Sequence, residues 1–165
     1  MGRRPRSLRE PPGRAGSHRG DPRRARRGAL DEVIVVDASA AVEALIHGGE
    51  ARQRLTTERV AAPHLVDAEV MHALRRLTAR GALDDLSAHR AVRRWRGAPV
   101  RRFAMHALVD RVWAMRHNLS AYDTCYVALA EALDRPLLTA DHRLAAAPTL
   151  KCPVVLLAGR ESHDQ

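Results

Sequence analysis

Val33-Ile34-Val35-Val36-Asp37-Ala38-Ser39 is a run of four β-branched residues that stops abruptly at an acid and a hydroxyl. An apolar run this short, bounded by charge on both sides, predicts a strand buried on both faces, as parallel sheets require. The residues from Ala40 onward carry a helical pattern, so Asp37 falls at a strand-to-helix turn. In open α/β sheets ligands collect beyond the carboxyl ends of the strands, which makes Asp37 a candidate for chemistry. Asp is also a favoured helix N-cap, and for Asp37 alone that reading is equally open.

Outward from this strand the alternation continues. Val60-Ala61-Ala62 closed by Pro63, Val100 to Ala104, Leu137-Leu138-Thr139 and Val154 to Leu157 predict four further short strands. Between them, Ala40–His47, Glu50–Thr57, His64–Arg80, Leu83–Arg96, His106–His117, Ala121–Leu133 and Arg143–Ala147 carry helical signals, with breaks at Gly48-Gly49, Gly81, Gly97 and Arg135-Pro136. The pattern predicts an α/β fold, a three-layer α/β/α sandwich around a short, mainly parallel sheet of about five strands joined by right-handed crossovers.

Composition bounds the rest. The 165 residues are 45% hydrophobic but only 3% aromatic, so one aliphatic core is expected. Ten Arg against Glu10 and Asp21 put eight of the nine net positive charges in residues 1–30, and the remainder is nearly neutral. That segment mixes Arg with Pro, Gly and Ser and has no apolar period, so it is expected to be disordered. A solvated tail, a targeting peptide and upstream sequence from a misassigned start are its competing explanations. The expected organisation is thus 1–30 extension, 31–158 folded domain, 159–165 tail. Two cysteines, Cys125 and Cys152, are too few for a disulfide framework and point to core filling in a reducing cytoplasm. No apolar run approaches the roughly 20 residues of a membrane span.

Three more acids share the position of Asp37 or stand out from their surroundings. Asp141 follows strand Leu137–Thr139, Asp123 stands three residues after Ser120 with capping-box spacing, and Glu69 lies inside the long helix beside its apolar face. Each of the first two is explained by capping alone. Glu69 is not, because an unpaired carboxylate against a core is expensive; Arg76, two turns later, is the partner the spacing offers. Asp67, in the first helical turn, complements the helix dipole and is read as structural. Four acids from four segments, gathered at one end of a sheet, would not all ionise without a counter-ion. Hard divalent cations such as Mg²⁺ or Mn²⁺ suit such oxygen donors.

The fragments Val33–Ser39, Pro63 followed by Asp67-Ala68-Glu69-Val70, Ala121–Ala130 and Leu138–Leu144, in that order, resemble the PIN domain, and more narrowly its bacterial VapC-type toxins. The similarity covers about residues 32–157. The resemblance places Asp37, Glu69, Asp123 and Asp141 on the family's acidic quartet, catalytic and metal-holding, with Ser39 and Thr139 as supporting hydroxyls. It implies a metal-dependent endoribonuclease acting as the toxin of a toxin–antitoxin pair, with one or two Mg²⁺ or Mn²⁺ ions, an RNA substrate, a cognate antitoxin and a homodimer. Arg93, Arg94, Arg96, Arg101 and Arg102 would guide RNA, or form a solvated face. Tyr122 and Trp95 are expected as core or cover sooner than as base-stacking rings. The rival functions are a phosphatase or phosphotransferase with Asp37 as nucleophile, for which Lys151 is poorly placed, and a non-catalytic RNA-binding module.

Overall fold

The computed structural model describes residues 33–148 and 150–157. The Arg-rich segment 1–30 and the tail 159–165 lie outside the described residues, so the expectations for them do too. The elements run β1 (Val33–Val36), α1 (Ala38–Ile46), α2 (Gly49–Thr57), β2 (Arg59–Pro63), α3 (Val66–Ala79), α4 (Asp85–Arg96) and β3 (Val100–Phe103). A 3-10 turn at His106–Leu108 then leads to α5 (Val109–Ala114), α6 (Ala121–Leu133), β4 (Leu137–Thr139), α7 (His142–Ala145) and β5 (Val154–Leu156).

All five strands are parallel, in the order β3-β2-β1-β4-β5. β1 is the central strand: Val35 pairs with Ala61 of β2 on one side and Leu137 of β4 on the other. Its unbroken β-branched run follows from this place, because Ile34, Val35 and Val36 are at most 1% exposed and both faces need apolar cover. Helices α1, α3 and α4 pack on one another, while α6 packs on β1, β2 and β4 and carries α5. This is the layered α/β arrangement expected from the alternation.

The local boundaries have physical causes. Gly48 and Gly49 adopt φ of 79° and 56°, a left-handed excursion that separates α1 from α2 without a Cβ penalty. Asp134 ends α6 at φ 51°, and Arg135 N–H reaches back to Ala130 O at 3.0 Å, closing the last turn. The helix expected from His64 starts later, at Val66, because His64 N–H extends the sheet edge by donating to Phe103 O. The helix expected over His106–His117 is split into the 3-10 turn and the six residues of α5.

The core is aliphatic around two buried aromatic rings, Trp95 and Tyr126. Cys152 is buried and Cys125 half-buried, both as free thiols. Among the described residues no helix is long and apolar enough to cross a membrane.

Candidate active site

The parallel pairing of β1 with β4 sets the carboxyl ends of both strands side by side, with Asp37 N–H donating to Leu138 O as the ladder runs out. Asp37 is only 6% exposed. Its Oδ1 accepts from the Ala40 N–H and the Ser39 hydroxyl, both at 2.8 Å, which makes it the N-cap of α1. Its Oδ2 accepts from the Thr139 hydroxyl at 2.6 Å and shares the Ser39 proton at 2.9 Å. Each hydroxyl also accepts: Ser39 from Ala140 N–H and Thr139 from Asp141 N–H. The two hydroxyls therefore stitch the end of β1 to the turn that carries Asp141. Burial pushes the Asp37 carboxyl above its ordinary range, against these hydrogen bonds, and the Asp123 charge adds to the rise.

Glu69 stands in the first turn of α3, half-buried. Its partner is not Arg76, which is exposed, but Tyr126 of α6, whose hydroxyl donates to Glu69 Oε2 at 2.5 Å. The spacing within α3 pointed to Arg76; the fold instead packs α6 across the sheet, and a buried phenol meets the carboxylate. Burial raises the Glu69 pKa most, the Tyr126 hydrogen bond works against that, and the Asp123 and Asp37 charges push the same way as burial. The phenol is itself driven far above its usual value by burial and by Glu69.

Asp123 occupies the first turn of α6. The N-cap Ser120 hydroxyl accepts from Asp123 N–H at 3.1 Å and donates to Asp123 Oδ2 at 2.8 Å. The carboxylate thus bonds the cap hydroxyl, where a full capping box would take the Ser120 N–H. Asp141 caps α7, accepting from the amides of Arg143 and Leu144, and forms an ion pair with Arg143 Nη2 at 3.2 Å. Burial works to raise the Asp141 pKa, but Arg143 and the two amides outweigh it and hold the group below its ordinary value.

Glu69, Asp123 and Asp141 line one open cleft of about 640 Å³, together with Ser120, Tyr122 and Arg143. Asp37 is buried off that lining, yet the Asp123 charge raises its proton affinity, and Asp123 and Asp37 together raise that of Glu69. Capping and convergence are therefore compatible, since Asp37 and Asp141 do both. Among the described residues no three His, Cys, Asp or Glu side chains stand close enough to enclose an ion by themselves. An all-oxygen set of mutually repelling carboxylates still suits a hard cation of the kind that keeps several waters and takes only one or two carboxylates directly.

The five arginines lie elsewhere. None of Arg93, Arg94, Arg96, Arg101 and Arg102 lines the acid cleft. Arg102 grips Asp67 through Nε at 2.7 Å and Nη2 at 2.8 Å, with Trp95 Nε1 donating to the same carboxylate. Arg94 bonds Leu45 O, and Arg101 lies over the Phe103 ring. Trp95 is buried as cover, whereas Tyr122, expected as the same, is 62% exposed. Tyr126 and Arg143 escaped the sequence reading. Arg143 had a signal, two residues beyond Asp141; Tyr126, 57 positions from Glu69, had none.

A family model for the PIN domain matches residues 34–150. Ribonuclease VapC9 of Mycobacterium tuberculosis is 48% identical over 125 residues, spanning 76% of this chain and 98% of that relative. Two solved structures share the fold at lower identity. One, from Pyrobaculum aerophilum, has a TM-score of 0.59 at 23% identity, covering 78% of this chain and 86% of its own. The other, VapBC2 from Rickettsia felis bound to a DNA fragment from their promoter, has a TM-score of 0.57 at 12% identity, covering 75% and 98%. With the strand order, the acid cleft and these matches in hand, this chain belongs to the PIN-domain family, in the branch of the VapC ribonucleases.

Proposed function

We propose that this protein is a metal-dependent endoribonuclease and the toxin of a toxin–antitoxin pair, working in the cytoplasm. The observation that carries the reading is the convergence of Glu69, Asp123 and Asp141 on one cleft with Asp37 buried beside it. The kinship with proteins named VapC ribonucleases supports RNA as substrate and a cognate antitoxin as partner. The homodimer remains an expectation of the same kinship.

A bound Mg²⁺ or Mn²⁺ would supply charge neutralisation at the phosphate and a water acidified enough to attack it. The protein's part is to hold and orient. Asp123 and Asp141 present carboxylates on the cleft lining, and Asp37, fixed by three donors, keeps the β1 and β4 ends in register. Glu69 has one oxygen engaged by Tyr126; among the described residues no donor reaches the other, which suits it to orient the attacking water or take its proton. The helix start at Ser120 adds partial positive charge near the phosphate.

The rivals fit less well. A phosphoryl-accepting nucleophile needs free oxygens, and both of Asp37's are hydrogen-bonded in a 6% exposed side chain. Lys151 does not line the cleft. For the antitoxin, the groove between α3 and α4, lined by Met71, Leu74, Ala88 and Val92, offers the apolar surface a partner segment needs.

The test is cleavage of an RNA pool by the purified full chain with Mg²⁺ or Mn²⁺. Cutting should stop with a chelator and in Asp37→Asn and Asp123→Asn variants that keep their thermal transitions. Undiminished cutting by either variant would overturn the site, and turnover of p-nitrophenyl phosphate without RNA cutting would favour the phosphatase.

A further inference from the structure

The chain has five aromatic residues, and the fold hides or covers three of them. Trp95 and Tyr126 are buried and Phe103 is half-covered; Trp113 and Tyr122 stand out at 68% and 62% exposure. The two exposed rings differ in setting. Trp113 lies against Arg116, just past the end of α5, whose guanidinium sits 4.8 Å from the ring centroid. Tyr122 lines the acid cleft, one residue before Asp123, and among the described residues neither a cation nor a hydrogen-bond donor or acceptor engages it.

That placement meets a physical need of the cleft. The lining carries Glu69, Asp123 and Asp141 against a single cation, Arg143, which is already paired to Asp141 at 3.2 Å. Such a surface repels a phosphate backbone beyond the one phosphate a bound cation would neutralise. Attraction has to come from a part of the substrate that carries no charge. A base has a π-face of its own, and stacking on an aromatic ring is insensitive to the neighbouring acids. The cleft volume of about 640 Å³ falls within the range of small-ligand sites and is large enough for a nucleotide.

We propose that Tyr122 is the stacking platform for an unpaired base beside the phosphate cut in the acid cleft, and so a residue that sets which nucleotides the protein accepts. The inference rests on the ribonuclease reading for the identity of its ligand. A base held in a duplex offers both faces to its neighbours and is unavailable to the ring, so Tyr122 selects against paired RNA.

The experiment uses the full chain in an Asp37→Asn background with Mg²⁺, titrated into a single-stranded oligoribonucleotide carrying 2-aminopurine. Binding should quench the fluorescence, and adding Tyr122→Phe, which keeps the ring, should change little. Adding Tyr122→Ala should weaken binding about 5- to 150-fold and abolish the quench. Annealing the complementary strand should abolish it as well, while Trp113→Ala should leave it intact. In the otherwise unsubstituted chain, Tyr122→Ala should raise KM by the same factor and leave kcat within a few-fold. Equal affinity and quench with Tyr122→Ala, equal losses with Phe and Ala, or equally tight duplex binding would each overturn the proposal. The two readings fail separately. If the native chain cuts RNA and Tyr122→Ala matches it in every readout, the stacking role is wrong and the nuclease stands. If nothing is cut but the Tyr122-dependent quench persists, the reverse holds.

Discussion

The Tyr126 hydroxyl donates a 2.5 Å hydrogen bond to Glu69 Oε2, joining the buried middle of α6 to the first turn of α3. Tyr126 does not reach the cleft itself, so it is a positioning residue. Tyr126→Phe keeps the ring's packing and removes only the donor. The hydrogen bond lowers the Glu69 pKa against burial and two acidic neighbours, so its loss should raise that pKa further. The acid limb of the kcat/KM profile should then move to higher pH, and Mn²⁺ affinity measured by calorimetry should fall about 10- to 100-fold. A purely structural hydroxyl would lower the thermal midpoint and leave the profile in place.

Asp37 and Glu69, unlike Asp141, destabilise the metal-free protein at neutral pH. Asp37 and Glu69 both titrate above their ordinary values of 3.8 and 4.5, chiefly because burial disfavours their charged forms. A raised carboxyl binds its proton more tightly in the folded state, so it contributes stability at low pH that is lost as pH rises through the folded pKa. With a chelator present, the thermal midpoint of the native chain should therefore fall relative to that of Glu69→Gln as pH climbs from the carboxylate range towards neutrality. Asp123→Asn removes a charge that raises both groups while its amide oxygen can still accept from Ser120. It should lift the metal-free midpoint at neutral pH by about 2–4 °C, the equivalent of about 1 kcal/mol for a domain of this size. Mg²⁺ or Mn²⁺ should stabilise the native chain and leave the variant nearly unchanged. A native midpoint that rises with pH relative to that of Glu69→Gln under chelation would contradict the repulsion.

These pairs also mark what could be read from the chain beforehand. The β1 run, the strand-end acids and the Ser120–Asp123 cap are local, and local spacing on strands and helices is visible in sequence. Glu69 was conspicuous because a capping role could not absorb it. Its partner was not visible, because the contact with Tyr126 depends on which helix crosses which strand. The partners of the basic residues were hidden for the same reason: Arg101 and Arg102 are adjacent in β3, and the alternation of a strand sends one over Phe103 and the other to Asp67. Exposure of Tyr122 likewise follows from its place on the first turn of α6 at the cleft rim, not from its composition.

Thr139 should be worth more to stability than an exposed hydroxyl. It is fully buried, donates to Asp37 Oδ2 at 2.6 Å and accepts from Asp141 N–H at 2.9 Å. Thr139→Val preserves the shape but leaves a buried carboxylate oxygen and a backbone amide each short of a partner. Denaturant unfolding should show a loss of about 1–3 kcal/mol, largely restored by Thr139→Ser. Unchanged stability in Thr139→Val would show that the hydroxyl carries no such role.

Asp67 and Glu69 stand two residues apart on α3, about 200° around the helix, and should behave as opposites. Asp67 faces Arg102 and the buried Trp95, and its pKa is held low, first by the Arg102 hydrogen bond, although burial opposes it. A lowered carboxyl stabilises above its unfolded pKa, and that contribution is lost as pH falls through the folded value. The ion pair itself is partly exposed and screened, worth less than about 1 kcal/mol. Asp67→Ala should cost more, because it strips the Trp95 indole N–H of its acceptor, and the deficit should shrink in acid. RNA cutting per folded molecule should be unchanged. Glu69→Gln should do the reverse, relieving repulsion in the metal-free protein, keeping or raising its thermal midpoint, and removing metal-dependent cutting. If Asp67→Ala abolished cutting at full foldedness, the division of these acids into a brace and a site would be wrong.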